Sequence, residues 1–385
     1  MDMHYPADSN LMPDARELTA VVRPVGQLER LPKWLNLVPM VIQWLWLAIR
    51  YRSVTLPSTA NPAILAGGLV GEGKADYFAT MGPHALATVA NFTTLVNQGM
   101  GGLPAAQRAM SGAGLVFPVI AKPDIGWCGF GVRLIRDDAE LSSYLGRFPR
   151  GERIVLQRFL PEDGEAGIFY VRLPGATKGS LIGILLRHFP RVVGDGVHSI
   201  EELIAANPRL HRLGRDGLSE ACCDTTAVPA SGQVVRISTI GSTRVGGLYE
   251  DGSDLITPAL TDAIDAIAGD MTEFHIGRFD VRFASVAGLA GGAGFTIIEV
   301  NGAGSEAVHA WDPKFTLRQA YAIVFAKQRM LFAVGHAMRC RGHRPVGIGR
   351  LTQLFLRQHR LIGALSAVEL TFVEETHHER DKPSQ

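Results

Sequence analysis

Only four cysteines occur in this 385-residue chain, Cys128, Cys222, Cys223 and Cys340, and no two stand in a Cys-x-x-Cys spacing. That excludes a zinc ribbon, a dithiol redox centre and a disulfide framework, and it points to a reducing, cytoplasmic setting. The opening Met1-Asp2-Met3-His4 is polar and lacks the pattern of a cleavable leader. Long apolar runs are missing too. The longest, Trp34 to Ile49, has Asn36, Pro39 and Gln43 inside it and falls short of the roughly twenty residues that span a bilayer. Acid is absent from Lys314 to Arg360, a stretch with ten Lys or Arg, although the whole chain has a net charge of only +1. A one-signed stretch of this kind attracts anionic partners. Its apolar residues are aliphatic more than aromatic, so the stacking platforms of a nucleic-acid binder are not there. There is no internal repeat and no long low-complexity tract. With 46% hydrophobic and 19% charged residues, the chain has enough apolar material for a sizeable core and more than one domain.

What is present is concentrated in one stretch. Gly277-Arg278-Phe279-Asp280-Val281-Arg282 and Ile297-Ile298-Glu299-Val300-Asn301-Gly302 read as two strands. Side chains alternate along a strand, so Glu299 and Asn301 share a face. The glycine-rich segment 288–294 is a turn signal, and a hairpin there brings Asp280 alongside the same pair. Two carboxylates and an amide oxygen are hard ligands that suit Mg²⁺ bound jointly with nucleotide phosphates.

A second motif lies upstream. Val116 to Ala121 is a buried-strand run that feeds Lys122 and then a loop with Gly126, Gly129 and Gly131. Glycines let the backbone approach phosphate oxygens, and the lysine adds a point charge. The spacing is neither that of a Walker A loop nor that of a Rossmann fingerprint.

In this order and at this spacing the motifs resemble the ATP-grasp superfamily, most closely its carboxylate-amine ligase branch, the D-alanine-D-alanine ligase and cyanophycin synthetase types. The resemblance covers roughly Lys74 to Pro313. It implies an α+β fold with two lobes clasping ATP, with ATP and Mg²⁺ as cofactors and the metal on Asp280, Glu299 and Asn301. Lys74 would be a second lysine on the phosphates, beside Lys122. The adenine is expected at the hinge Gln157-Arg158-Phe159-Leu160. The ribose is expected on Glu165, with Glu162 and Asp163 as alternatives. The segment from Arg187 through Gly194-Asp195-Gly196 to Ile204 is similar to a cyanophycin-synthetase phrase in which a basic residue just before Gly-Asp-Gly meets the γ-phosphate. Arg187 and Arg191 are both eligible. Arg172 is a third cation, for phosphate or for an acid partner. Arg278 corresponds to the family's guanidinium for the oxygens of a tetrahedral intermediate. The implied activity joins a small carboxylate to an amine through an acyl phosphate. A phosphotransferase that stops at phosphoryl transfer, and a nucleotide-binding membrane adaptor without turnover, are the alternatives.

The expected organisation is an N-terminal region 1–73, a core 74–313 with lobes of about 74–155 and 156–313, and a basic helical cap and tail 314–385. Residues 34–49 read as a helix that is apolar nearly all round, buried or interfacial, and the Ala60 to Gly68 segment as loop, strand, loop. The end, Glu374 to Lys382, reads as a frayed tail. The apolar helix and the basic cap suggest peripheral contact with an anionic membrane, and a homodimer stays open.

Overall fold

The computed structural model of the chain describes residues 25–127, 129–207, 209–210 and 223–380. The Met1 to His4 opening, Cys128, Cys222 and the tail beyond Arg380 lie outside them. The first long element is helix α1 (Lys33–Tyr51). Its polar residues are used internally: Asn36 donates to Leu28 O (2.6 Å) and Gln43 to Phe325 O (2.9 Å). Residues 60–68 differ from the expected strand. They close into a 3₁₀ turn at Leu65–Gly68, with Ala66 and Gly67 in the left-handed region (φ 51° and 66°). The cause is Asn61, whose amide donates to Gly67 O and Ile276 O, both at 2.9 Å, and curls the segment onto itself.

Helix α2 (Lys74–Ala79) follows, and then a four-stranded antiparallel sheet in the order β1-β4-β2-β3. Its strands are β1 (Phe92–Val96), β2 (Val119–Pro123), β3 (Arg133–Ile135) and β4 (Arg153–Arg158). Helices α3 (Leu103–Gly112) and α4 (Asp138–Arg147) cover one face. Asp137 caps α4 by accepting from Glu140 N at 2.8 Å, which satisfies an otherwise orphan helix donor. Met110, Val119, Ala121, Leu141, Ile154 and Leu156 form the core between sheet and helices.

The chain crosses after β4 to a second, five-stranded antiparallel sheet, ordered β11-β10-β5-β6-β9. Its strands are β5 (Gly164–Val171), β6 (Ser180–His188), β9 (Leu248–Asp251), β10 (Ile276–Phe283) and β11 (Phe295–Asn301), while β7 (Arg191–Val193) and β8 (Val234–Arg236) pair separately. Helix α5 (Pro258–Gly269) packs Leu260, Ile264 and Ile267 onto the back of this sheet with Ile168, Tyr170, Phe279 and Val281. The strands β10 and β11 pair antiparallel as the sequence suggests, with Asp280 opposite Glu299 and Arg278 opposite Asn301. The link between them is longer than a bare turn, because a helical turn, Val286–Ala290, precedes the glycines. An α+β architecture with two sheet lobes and a cleft between them is thus the observed one.

Two helices close the chain. In α6 (Leu317–Cys340), Phe332 meets the edge of Trp44 at 5.0 Å between ring centroids, so α6 holds α1 against the second lobe. Helix α7 (Ile348–Arg380) returns to the first lobe, where Leu361 and Leu365 join its core. It continues to Arg380, into the segment expected to fray, where Glu374, Glu375, Glu379 and Arg380 are good helix formers.

Candidate active site

A cleft of about 460 Å³ opens between the two sheets. From the first sheet, Lys122 leaves the end of β2 and reaches across the gap. Its Nζ donates to Gln157 Oε1 (2.7 Å) on β4 and to Ile298 O (2.8 Å) on β11, so one ammonium bridges both lobes. Burial pulls its pKa down to about 8 despite the opposing charge of Glu299. Lys74 starts α2 and is buried, with Nζ 3.6 Å from Glu299 Oε1. Gly126 makes room for it: a Cβ there would stand 3.1 Å from Lys74 Nζ.

The second sheet contributes one face of alternating side chains. On β10 these are Arg278, Asp280 and Arg282, facing Gly167 and Glu165 on β5 and Arg187 on β6. Asp280 accepts from Arg278 Nε (2.6 Å) and Nη2 (2.8 Å) and from Arg187 Nη2 (3.2 Å). Burial by itself would raise its pKa, but Arg187 and Arg278 outweigh that and hold the carboxyl below its usual range. Gly167 is needed for this pair, since a Cβ there would come within 2.9 Å of Arg278 Cδ and 3.0 Å of Asp280 Oδ1. Glu165 pairs with Arg187 (2.8 Å) and Arg282 (3.2 Å). Against its burial, Arg282 and Arg187 keep its pKa low.

The cleft therefore brings together Lys74, Lys122, Gly126, Gly129, Gln157, Arg158, Phe159, Leu160, Glu165, Arg187, Arg278, Asp280, Glu299 and Asn301. Five residues singled out in the sequence stand outside this lining, Glu162 and Asp163 among them. Gly131 abuts Leu365 of α7. Arg191 pairs with Asp163 at 3.1 Å, outside the cleft lining. Arg172 lies past the end of β5, where its backbone N–H donates to His275 O at 2.7 Å. Of the two eligible arginines, Arg187 is the one in the cleft, and its buried Nε has no partner among the described residues.

No three His, Cys, Asp or Glu side chains converge among the described residues, so a cage of carboxylates alone is not built here. Asp280 and Glu299 are register neighbours, and Asn301 Nδ2 lies 3.2 Å from Asp280 Oδ2. Turning that amide presents an oxygen instead. Two carboxylates and an amide, completed by phosphate oxygens and water, fit Mg²⁺.

Sequence reasoning passed over several lining groups. Arg282 was within reach of it, because it continues the period-two face of Arg278 and Asp280. The contribution of α7 was not. Phe355, Gln358, His359 and Ile362 line the cleft, and Gln358 Oε1 accepts from Gly71 N at 3.0 Å. Only long-range packing puts that helix at the mouth of the cleft.

No family model and no curated protein matches the chain. Among solved structures it is similar to a bifunctional glutathione synthetase from Pasteurella multocida, at 18% identity and a TM-score of 0.35, over 67% of this chain and 35% of that one. It is also similar to D-cycloserine synthetase DcsG, at 10% identity and a TM-score of 0.37, over 68% of this chain and 70% of that one. The chain thus spans about a third of the length of the first.

Proposed function

We propose that the chain is an ATP-dependent carboxylate-amine ligase of the ATP-grasp kind. The observation that supports this reading is the opposition, across one cleft, of Lys74 and Lys122 to Asp280, Glu299 and Asn301, with Arg187 and Arg278 beside the carboxylates. Lys74 and Lys122 hold the phosphates, and Arg187 offers its unpartnered Nε to the terminal one. Asp280, Glu299 and Asn301 would hold Mg²⁺, which when bound offsets phosphate charge. A substrate carboxylate attacks the γ-phosphorus, releasing ADP and leaving an acyl phosphate. An amine then displaces phosphate, and Arg278 donates to the oxygens that gain charge in that step. Catalysis of this type is positioning and electrostatics, so no nucleophilic side chain is required.

ADP release, followed across pairs of small acids and amines with hydroxylamine as a trapping amine, tests the reading. Hydroxamate formation supports the ligase. ADP without hydroxamate assigns a phosphotransferase, and no ADP with any pair assigns the non-catalytic adaptor.

A further inference from the structure

Beyond Arg278 the same sheet face continues into a second cavity of about 190 Å³, lined by Phe169, Asp251, His309 and Lys327 among apolar side chains. Phe169 is the register partner of Arg278. Arg278 Cζ and Lys327 Nζ stand 5.7 Å and 5.4 Å from the Phe169 ring centroid, so the two cations flank one ring. Lys327 is buried at mid-helix in α6. Among the described residues its ammonium has no ion pair, and its one hydrogen bond is to Ser305 Oγ at 2.9 Å. Ser305 itself lines the first cleft and so connects the two spaces. His309 is also buried, and its Nδ1 has no hydrogen-bond partner among the described residues. The ring packs against β6 at Gly183, where a Cβ would lie 2.5 Å from Nε2.

We propose that this cavity binds the carboxylate of a small apolar acid on Lys327, with His309 Nδ1 as a second polar contact. That this acid is a substrate rests on the ligase reading above; that it binds does not. Glu306 attracts the Lys327 ammonium from a distance without forming an ion pair with it; a buried ammonium without a close counter-charge is costly, and an anionic ligand supplies that close partner. Its situation is visible in its acidity, since burial and then Arg278 draw the Lys327 pKa down to about 7. Burial likewise brings His309 to about 4 and keeps its ring neutral. The walls, Ile182, Phe315, Ile323 and Met330 with Phe169, are apolar, and the volume is below the roughly 300–1,000 Å³ of drug-sized pockets. Both features select a short aliphatic chain.

Butyrate, isovalerate and both enantiomers of valine serve as probes, with isopentanol as the uncharged control, read by saturation-transfer NMR titration on the full chain. At least one acid should bind the wild type, with isopentanol weaker by about 10- to 100-fold, the range of one charge-assisted hydrogen bond. Lys327→Met should lose affinity for that acid by a similar factor while melting no lower than the wild type, since it removes an uncompensated charge and keeps the stem. Lys327→Gln repeats the test should the first variant not fold. The proposal is overturned if none of the four acids binds, if isopentanol binds equally well, or if the Lys327 variants bind within about twofold of the wild type. Acid binding without ADP release in the acid and amine screen would leave the subsite standing and remove the ligase.

An independent observation concerns α1. Its face turned away from α6 presents Trp34, Val38, Ile42, Leu45, Trp46 and Ile49, each 46–78% exposed, at the spacing of one helical stripe. Exposed apolar patches of that extent mark an interaction surface. No Asp or Glu occurs between Glu29 and Glu72, and Arg50 and Arg52 are exposed at the end of the helix. No described helix is long and apolar enough to cross a membrane. We infer that α1 lies in the interface of an anionic lipid surface, tryptophans and stripe inward, arginines at the headgroups. The full chain should sediment with vesicles rich in phosphatidylglycerol at low salt and leave them only in part at high salt, because salt screens the arginines and not the burial. Ile42→Asp with Leu45→Asp should stay in the supernatant. A wild type that stays in the supernatant, or a dimer that this double variant turns into a monomer, would overturn the inference, the second by showing that another copy covers the face.

Discussion

Replacing Arg187 by methionine perturbs two buried carboxylates at once. Its guanidinium meets Glu165 at 2.8 Å and Asp280 at 3.2 Å, and its side chain is only 15% exposed. Removing one member of a buried ion pair costs about 3–5 kcal/mol, because the partner stays buried without compensation. Here Asp280 keeps Arg278 and Glu165 keeps Arg282, so the lower end, about 3 kcal/mol, is expected at pH 7. The sign of the pH dependence follows from the directions of the shifts. Both carboxyls have folded-state pKa values below their usual ones. Their contribution to stability is therefore complete above the unfolded values of about 3.9 and 4.3 and is lost as pH falls through the folded ones. Without Arg187 both pKa values rise, protonation relieves the uncompensated charge, and the cost of the substitution should shrink between pH 7 and pH 4.5. Equilibrium urea unfolding of wild type and variant at these two pH values measures it. An equal cost at both, or a cost under about 1 kcal/mol at pH 7, would refute the claim that Arg187 neutralises this pair.

The remaining expectations concern the cleft. Glu299→Gln should keep the fold, because shape barely changes, at a cost in stability because buried Lys74 and Lys122 lose a nearby charge, yet lose Mg²⁺-dependent ADP formation; ordinary turnover would remove the metal assignment. Lys74→Ala and Lys122→Ala should each weaken ATP binding by about 1–3 kcal/mol in calorimetry. Since Lys122 has a pKa near 8 and only its charged form holds phosphate, wild-type affinity should fall as pH rises above that value, and Lys122→Ala should flatten the profile. Arg278→Lys keeps the charge and loses the planar fork, so ATP should still bind while ligation falls steeply; equal loss of both would place Arg278 on the nucleotide.

Much of the cleft is legible in sequence because its parts are local. Period-two alternation puts Glu299 with Asn301 on one face, and a strand ending in Lys122 before a glycine-rich loop is visible as such. Helix α1 is equally visible as the longest apolar run, interrupted only by Asn36, Pro39 and Gln43. Other decisions belong to contacts between residues far apart in the chain. Arg187 and Arg191 stand four positions apart with the same chemistry; pairing of β6 with β5 places the first against Glu165, while the second ends beside Asp163. Asn61 curls a segment whose sequence looks extended, through a bond to Ile276, 215 residues away. Lys327 reads as one more cation in an acid-free stretch, and only the seating of α6 near Phe169 buries it, with no ion pair among the described residues. Which half of α1 meets protein is settled by Phe332, Gln328 and the carbonyl of Phe325 on that same helix α6. Backbone periodicity is written into neighbouring residues, whereas burial and charge compensation are properties of what the rest of the chain packs against them.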